Sequence, residues 1–192
     1  MAVPAATVKP APTGTERSFG EDEIIVSKTD ARGRLFYAND VFCKVGLYSE
    51  QELAGQPHSI VRHPDMPRCV FQLLWETIAA GREIFAYVKN MAKNGDHYWV
   101  FAHVTPSYGR DGQIDGYHSS RRRPDRAALA QIEPLYRRLL EAENAAPDRK
   151  QGQAAGYALL HGILAERGQS YEEFVFSLDA GAGRSPRPGI AA

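Results

Sequence analysis

The stretch IFAYVKNMAKNGDHYWVFAHVTPSYGRDGQIDGYHSS, residues 84–120, alternates with a period of two and is cut twice by turn chemistry. Asn94-Gly95 suits a tight turn that needs positive φ, and Arg110-Asp111-Gly112 makes the second break. The spacing predicts three strands, Ile84–Asn90, His97–Thr105 and Ile114–Ser120, joined as a meander. On the middle strand Tyr98, Val100, Ala102 and Val104 share one face, and Trp99, Phe101 and His103 share the other.

Upstream the period changes to that of a helix. Val70, Phe71, Leu74, Trp75 and Ile78 form one apolar face, with Asp65 or Met66 as the expected cap, Pro67 in the first turn and Gly81 as the stop. Before it, His58–Pro67 is rich in proline and reads as a loop. Ser49-Glu50-Gln51-Glu52 is a capping box, in which hydroxyl and carboxylate satisfy each other's backbone N–H. Asn39 and Asp40 open another short helix. Ile24–Val26 and Leu35–Ala38 are predicted strands, joined through Asp30–Gly33 as a hairpin. The order is two strands, short helices, one longer helix and three strands. It predicts an α+β fold, with a five-stranded antiparallel sheet and helices on one face.

Downstream, Leu129, Ile132, Leu135, Tyr136, Leu139 and Leu140 form a helical stripe. A linker is expected over 144–153, then a short apolar helix from Ala154 to Ala165. A second capping box, Ser170-Tyr171-Glu172-Glu173, opens a last helix. The domain plan is a disordered tail over 1–20, an α+β domain over 21–123, a helical extension over 124–178 and a second tail over 179–192.

The 192 residues carry 23 basic and 23 acidic side chains, and a net charge of zero argues against a bulk nucleic-acid binder. No apolar run approaches the ~20 residues that span a bilayer, and no signal peptide is visible, so a cytoplasmic protein without a membrane span is expected. Cys43 and Cys69 form no C-x-x-C pair, which leaves zinc and dithiol chemistry unsupported.

The segment PHSIVRHPDMPRCVFQLLW, residues 57–75, concentrates polar chemistry. His63 and Asp65 have the types of an acid–base pair, but no nucleophile stands beside them, and two ligands are too few for a metal site. Arg62 and Asp65 can instead hold the loop by ion pairing. As a third reading, Arg62 clamps a ligand while Trp75 lines a flat apolar pocket. Asn90 near a strand end offers both a donor and an acceptor to a heterocycle. Tyr87, Tyr98, Trp99 and Tyr117 read first as core. His97, His103 and His118 sit on strands where one could ligate haem. Arg121-Arg122-Arg123 reads as a solvated run in preference to a phosphate patch. No constellation supports an enzyme.

The strings GQPHSIVRHPDMP (55–67), VKN (88–90), KNGDHYWV (93–100), DGYHS (115–119) and IEPLY (132–136) resemble the sensory PAS domain of bacterial aerotaxis receptors. The resemblance covers about Ile24 to Leu140 and implies a PAS fold that binds FAD non-covalently, reports redox or oxygen state and performs no catalysis. It assigns Arg62, His63 and Asp65 to a cofactor loop and Phe71 and Trp75 to the helix beside the flavin. It ties Asn39, Asn90 and Tyr117 to cofactor binding or signalling. Asn90 or a neighbouring donor is then expected to re-pair when the flavin is reduced. The sequence departs from the family at Ile84-Phe85, where a tryptophan is usual, and at Met91-Ala92, where arginines are. No membrane anchor or signalling domain of the receptor type is expected in the remaining length. The expected output is therefore a contact with a chemoreceptor, a histidine kinase or a second copy of the chain. A haem b sensor and a cofactor-free interaction module are the alternatives.

Overall fold

Five strands form one antiparallel sheet: β1 (Ile25–Asp30), β2 (Leu35–Ala38), β3 (Ile84–Met91), β4 (His97–Tyr108) and β5 (Ile114–Arg122), in the order β2-β1-β5-β4-β3. The meander places β5 beside β1, so the first and last strands close the centre of the sheet. Between β2 and β3 run α1 (Asp40–Gly46), α2 (Glu50–Leu53), a 3-10 turn at His58–Val61 and α3 (Arg68–Ala79). The C-terminal extension is α4 (Arg126–Ala145), α5 (Arg149–Arg167) and α6 (Tyr171–Ala180). This computed structural model describes residues 9–180. Residues 1–8 and 181–192, assigned above to the two tails, lie outside the described residues.

Most local signals act where the sequence places them. Asn39 caps α1 by accepting from the Phe42 N–H, and Ser49 with Glu52 forms the reciprocal box on α2. Gly33 has φ +75°, and a Cβ there would stand 2.9 Å from the Trp75 ring. Glycine thus serves both the β1–β2 turn and the close approach of α3.

Three features depart from the sequence reading. Residues 9–19, expected in a tail, lie along the start of β4. The Thr13 N–H donates to Gly95, the Arg17 N–H to His97, and the His97 N–H to Thr15. Lys9 Nζ donates to the carbonyl of Arg62 at 3.2 Å. The linker is only Ala146–Asp148, because Asp148 caps α5 five residues earlier than the apolar periodicity begins. And α3 is not capped by Asp65 or Met66. Pro67 precedes it without a side-chain cap, and the cap is the Glu143 carboxylate of α4, 75 residues on, accepting from the Arg68 N–H at 3.0 Å and the Cys69 N–H at 2.8 Å.

Packing follows side-chain size. The outer face of the sheet carries Phe85, Tyr87, Trp99 and Phe101. The extension covers part of it: Tyr136 donates to the Tyr87 carbonyl at 2.7 Å, and Phe176 packs on Phe85. The inner face faces α3 and carries Ser27, Thr29, Ala102 and Ser119. Side chains this small cannot fill the space beneath a helix, and an interior that cannot close-pack leaves a cavity.

Candidate functional site

The cavity measures about 550 Å³ and lies between the inner sheet face and α3, within the range of small-molecule sites. Leu74, Ile78, Val88, Ala102 and Val104 give it apolar walls, and Phe71 and Trp75 stand at the helical side. The Trp75 ring meets Tyr117 edge-on at 5.5 Å. Arg62 lies over Phe71, its guanidinium carbon 4.4 Å from the ring centroid.

Of the side chains singled out in the sequence, Arg62, Phe71, Trp75, Asn90 and Tyr117 line this cavity. A backbone bridge between Arg62 and Asn90 brings the proline-rich loop onto β3 and sets the two side by side. Asn39, His63 and Asp65 do not line it. The Asn39 amide accepts from the Val26 N–H and donates to the Ile24 carbonyl, tying α1 to β1. Asp65 pairs with Lys89 at 2.7 Å, while the Lys89 N–H meets the Met66 sulfur. Asp65 therefore staples the loop along β3. His63 is buried behind that staple, with Nδ1 accepting from the Asp65 N–H and its ring edge-on to His97 at 5.8 Å.

The polar wall holds groups that sequence reasoning missed. Arg121, read above as part of a solvated run, is only 3% exposed. Strand alternation explains the difference: Arg121 points inward while Arg122 is exposed and Arg123 pairs with Glu21 on the surface. Arg121 Nη2 donates to Ser27 Oγ at 2.8 Å and to His58 Nε2 at 2.6 Å, and no carboxylate pairs with it among the described residues. Its Nη1 has no partner, and neither do Thr29 Oγ1 and Ser119 Oγ, all three buried in residues that line the cavity. Burial pushes the Arg121 pKa down to about 10, so the group stays charged at neutral pH. The alternation in DGYHSSRR was the one signal that could have placed it.

Both inner histidines are held neutral. Burial, then the Arg121 charge, pushes the His58 pKa down to about 3. Burial pushes His63 to about 4; Lys89, His97 and Lys9 add to this, and Asp65 pulls the other way. Each uses a ring nitrogen as an acceptor, which protonation would remove. Each therefore binds a proton more readily unfolded than folded. Their stabilisation is complete above about pH 6.5 and is lost as the pH falls toward 4 for His63 and toward 3 for His58, by about 1.4 kcal/mol per pH unit for each group in its window. Urea unfolding at neutral pH and near pH 5 is expected to show a clear fall in midpoint. An unchanged midpoint would mean that neither ring is held neutral.

His97, His103 and His118 do not line the cavity, and His103 instead pairs with Glu83 at 2.6 Å. Among the described residues no group of three His, Cys, Asp or Glu is arranged to hold a metal ion, and no helix is long and apolar enough to cross a membrane.

Comparison with protein families matches residues 35–121 to the PAS fold. Residues 35–121 fold as a PAS domain. The aerotaxis receptor of Escherichia coli K12 is 46% identical over 121 residues, which is 63% of this chain and 24% of the receptor. The nitrogen fixation regulatory protein of Klebsiella pneumoniae is 29% identical over 52% of this chain and 20% of its own length. This chain thus spans about a quarter or less of the curated relatives it matches. Among solved structures, the dark form of the Aureochrome1 LOV photoreceptor aligns with a TM-score of 0.51 at 19% identity, over 60% of this chain and 85% of that one. That likeness is one of fold. The cavity occupies the space between sheet and helix that the small inner residues leave open.

Proposed function

We propose that this chain is a cytoplasmic, non-catalytic sensor that binds FAD in the cavity and reports its redox state to a signalling protein. The observation that carries the reading is the polar wall: a buried guanidinium without a carboxylate partner and two orphaned hydroxyls, facing a slot with apolar sides. Buried polar groups require partners. A flat heterocycle with one apolar and one polar edge meets both demands. Asn90 and Arg62 add donors elsewhere in the cavity lining, and the Phe71 and Trp75 rings flank the slot.

The similarity to an aerotaxis receptor, the family whose resemblance implies FAD, supports the flavin reading. Haem fits less well. The three strand histidines lie outside the cavity, and the Nε2 of His58 is engaged by Arg121. A cofactor-free module would leave the orphaned groups unpaired around about 550 Å³ of space.

A bound flavin supplies reversible electron uptake on its ring system. The chain's own part is to sense charge. Arg121 is shared between Ser27 on β1 and His58 on the loop before α3. Added negative charge in the cavity favours a guanidinium turned toward it and weakens its hold on His58. That shifts the loop relative to the sheet, and any bias between two arrangements follows from their different affinity for the charge. The partner is a chemoreceptor, a histidine kinase or a second copy of the chain. The absorption spectrum of the purified protein, before and after incubation with FAD, tests the reading. Flavin bands at one FAD per chain are expected, and a protein that stays colourless with excess FAD would overturn it.

A further inference from the structure

The helical extension reaches the cavity as well. Arg149 opens α5, and Arg149 and Gln153 both line the cavity that the PAS domain builds. Their position is fixed by a close helix–helix seam. Gln153 Nε2 donates to Gln72 Oε1 at 3.0 Å, and one turn on Tyr157 Oη donates to Glu76 Oε2 at 2.6 Å. Glycines permit the approach. A Cβ on Gly152 would stand 2.1 Å from the Glu143 carbonyl oxygen, and one on Gly156 would stand 2.7 Å from Glu143 Cγ. The seam thus holds α5 against α3 and α4 with its first residue at the cavity.

At that point arginines outnumber carboxylates. Arg62, Arg68 and Arg149 all line the cavity beside one carboxylate, Glu76, and Arg62 feels the attraction of Glu143 and the repulsion of the other two arginines. The carboxylates near them are already engaged. Glu143 accepts from two backbone N–H groups and pairs with Arg68 at 3.6 Å, Glu76 accepts from Tyr157 and Gln72, and Asp148 from the first turn of α5. Arg149 has no hydrogen bond or ion pair among the described residues. Three guanidinium groups converging without a free carboxylate suit a phosphate, which matches their paired N–H donors.

We infer that α5 completes the cofactor site, with Arg149 joining Arg62 and Arg68 to hold the phosphate arm of the flavin nucleotide. The inference rests on the flavin reading above and deepens it. It gives the extension a role in ligand choice: FAD and FMN present phosphate to this corner, and riboflavin presents none. It also links ligand to extension. A ligand that binds better when α5 is docked strengthens that docking by the same factor.

The test uses the full chain and the variant Arg149→Gln, which removes the charge of an exposed side chain that holds no hydrogen bond or ion pair among the described residues. FAD, FMN and riboflavin are titrated by flavin fluorescence at one ionic strength. The wild type is expected to bind FAD at least tenfold more tightly than riboflavin. In R149Q the affinities for FAD and FMN fall about tenfold, while that for riboflavin is unchanged. A second readout is limited proteolysis at Ala146–Asp148, which FAD slows in the wild type and not in R149Q. Unchanged FAD affinity in R149Q, or a parallel loss for riboflavin, overturns the inference and leaves the flavin reading standing. A wild type that takes up none of the three flavins overturns both.

Discussion

Replacing Arg121 with Met is expected to weaken FAD binding about a hundredfold while the ligand-free protein becomes as stable as the wild type or more so. The two effects have one source. Arg121 is buried with a histidine and a serine for partners and no carboxylate, so the ligand-free chain bears much of the cost of taking a charge out of water. Met fills a similar length without that cost, although Ser27 and His58 each lose a donor. Bound ligand reverses the balance. A fully desolvated, hydrogen-bonded charge contact is worth about 2–5 kcal/mol, and 2.7 kcal/mol is about a hundredfold in affinity. Thermal unfolding of the ligand-free proteins beside FAD titrations checks both halves. A variant that binds FAD normally but melts much earlier would make Arg121 a structural residue and remove it from the site. Arg121→Lys separates charge from shape. Lysine keeps the charge but not the planar fork that reaches Ser27 and His58 together, so it should recover only part of the affinity.

How far the sequence reveals this protein depends on how local each cause is. Turns and caps are set by neighbours a few residues apart, so Asn94-Gly95, the Ser49 and Ser170 boxes and the alternation along β4 are legible directly. Five of the eight singled-out side chains line one cavity because strand alternation and helical periodicity fix their faces. Asn39, His63 and Asp65 share the same unusual strings, but their local hydrogen bonds hold the walls in place. The groups that the sequence hides act over distance. Ser27, Thr29 and Ser119 look like solvent-facing strand residues until α3 covers them. Arg121 looks like part of a charge run until β1 and β4 flank it on both sides. Residues 9–19 lack periodicity because they pair through backbone groups with β4, and backbone pairing leaves no mark on side-chain pattern. The cavity itself is a shortage of volume, which becomes visible only once the layers are assembled.

Glu143 is the extreme case of a distant cause, and the second large effect is expected there. Glu143→Ala is predicted to destabilise the protein by about 3 kcal/mol or more and to loosen FAD. The carboxylate is buried at 2% exposure and carries the first two N–H groups of α3. Losing an ordinary N-cap costs about 1 kcal/mol, but here one buried and one part-buried donor lose their partner, and a buried orphan adds about 1–3 kcal/mol. Arg68, 3.6 Å from the same carboxylate, loses its counter-charge as well. The helix so released is the one that carries Phe71 and Trp75 to the cavity, and α5 packs on the same glutamate through Gly152 and Gly156. Glu143→Gln keeps one acceptor oxygen and the shape, so it should lose less stability than Ala. Urea unfolding of both variants, with and without FAD, checks the ranking. If Glu143 only fills space, Gln and the wild type should unfold together. If it caps α3, Gln should fall between the wild type and Ala. The stabilisation that FAD gives should shrink in the same order, because a frayed α3 start moves Arg68 and Phe71 out of reach of the ligand.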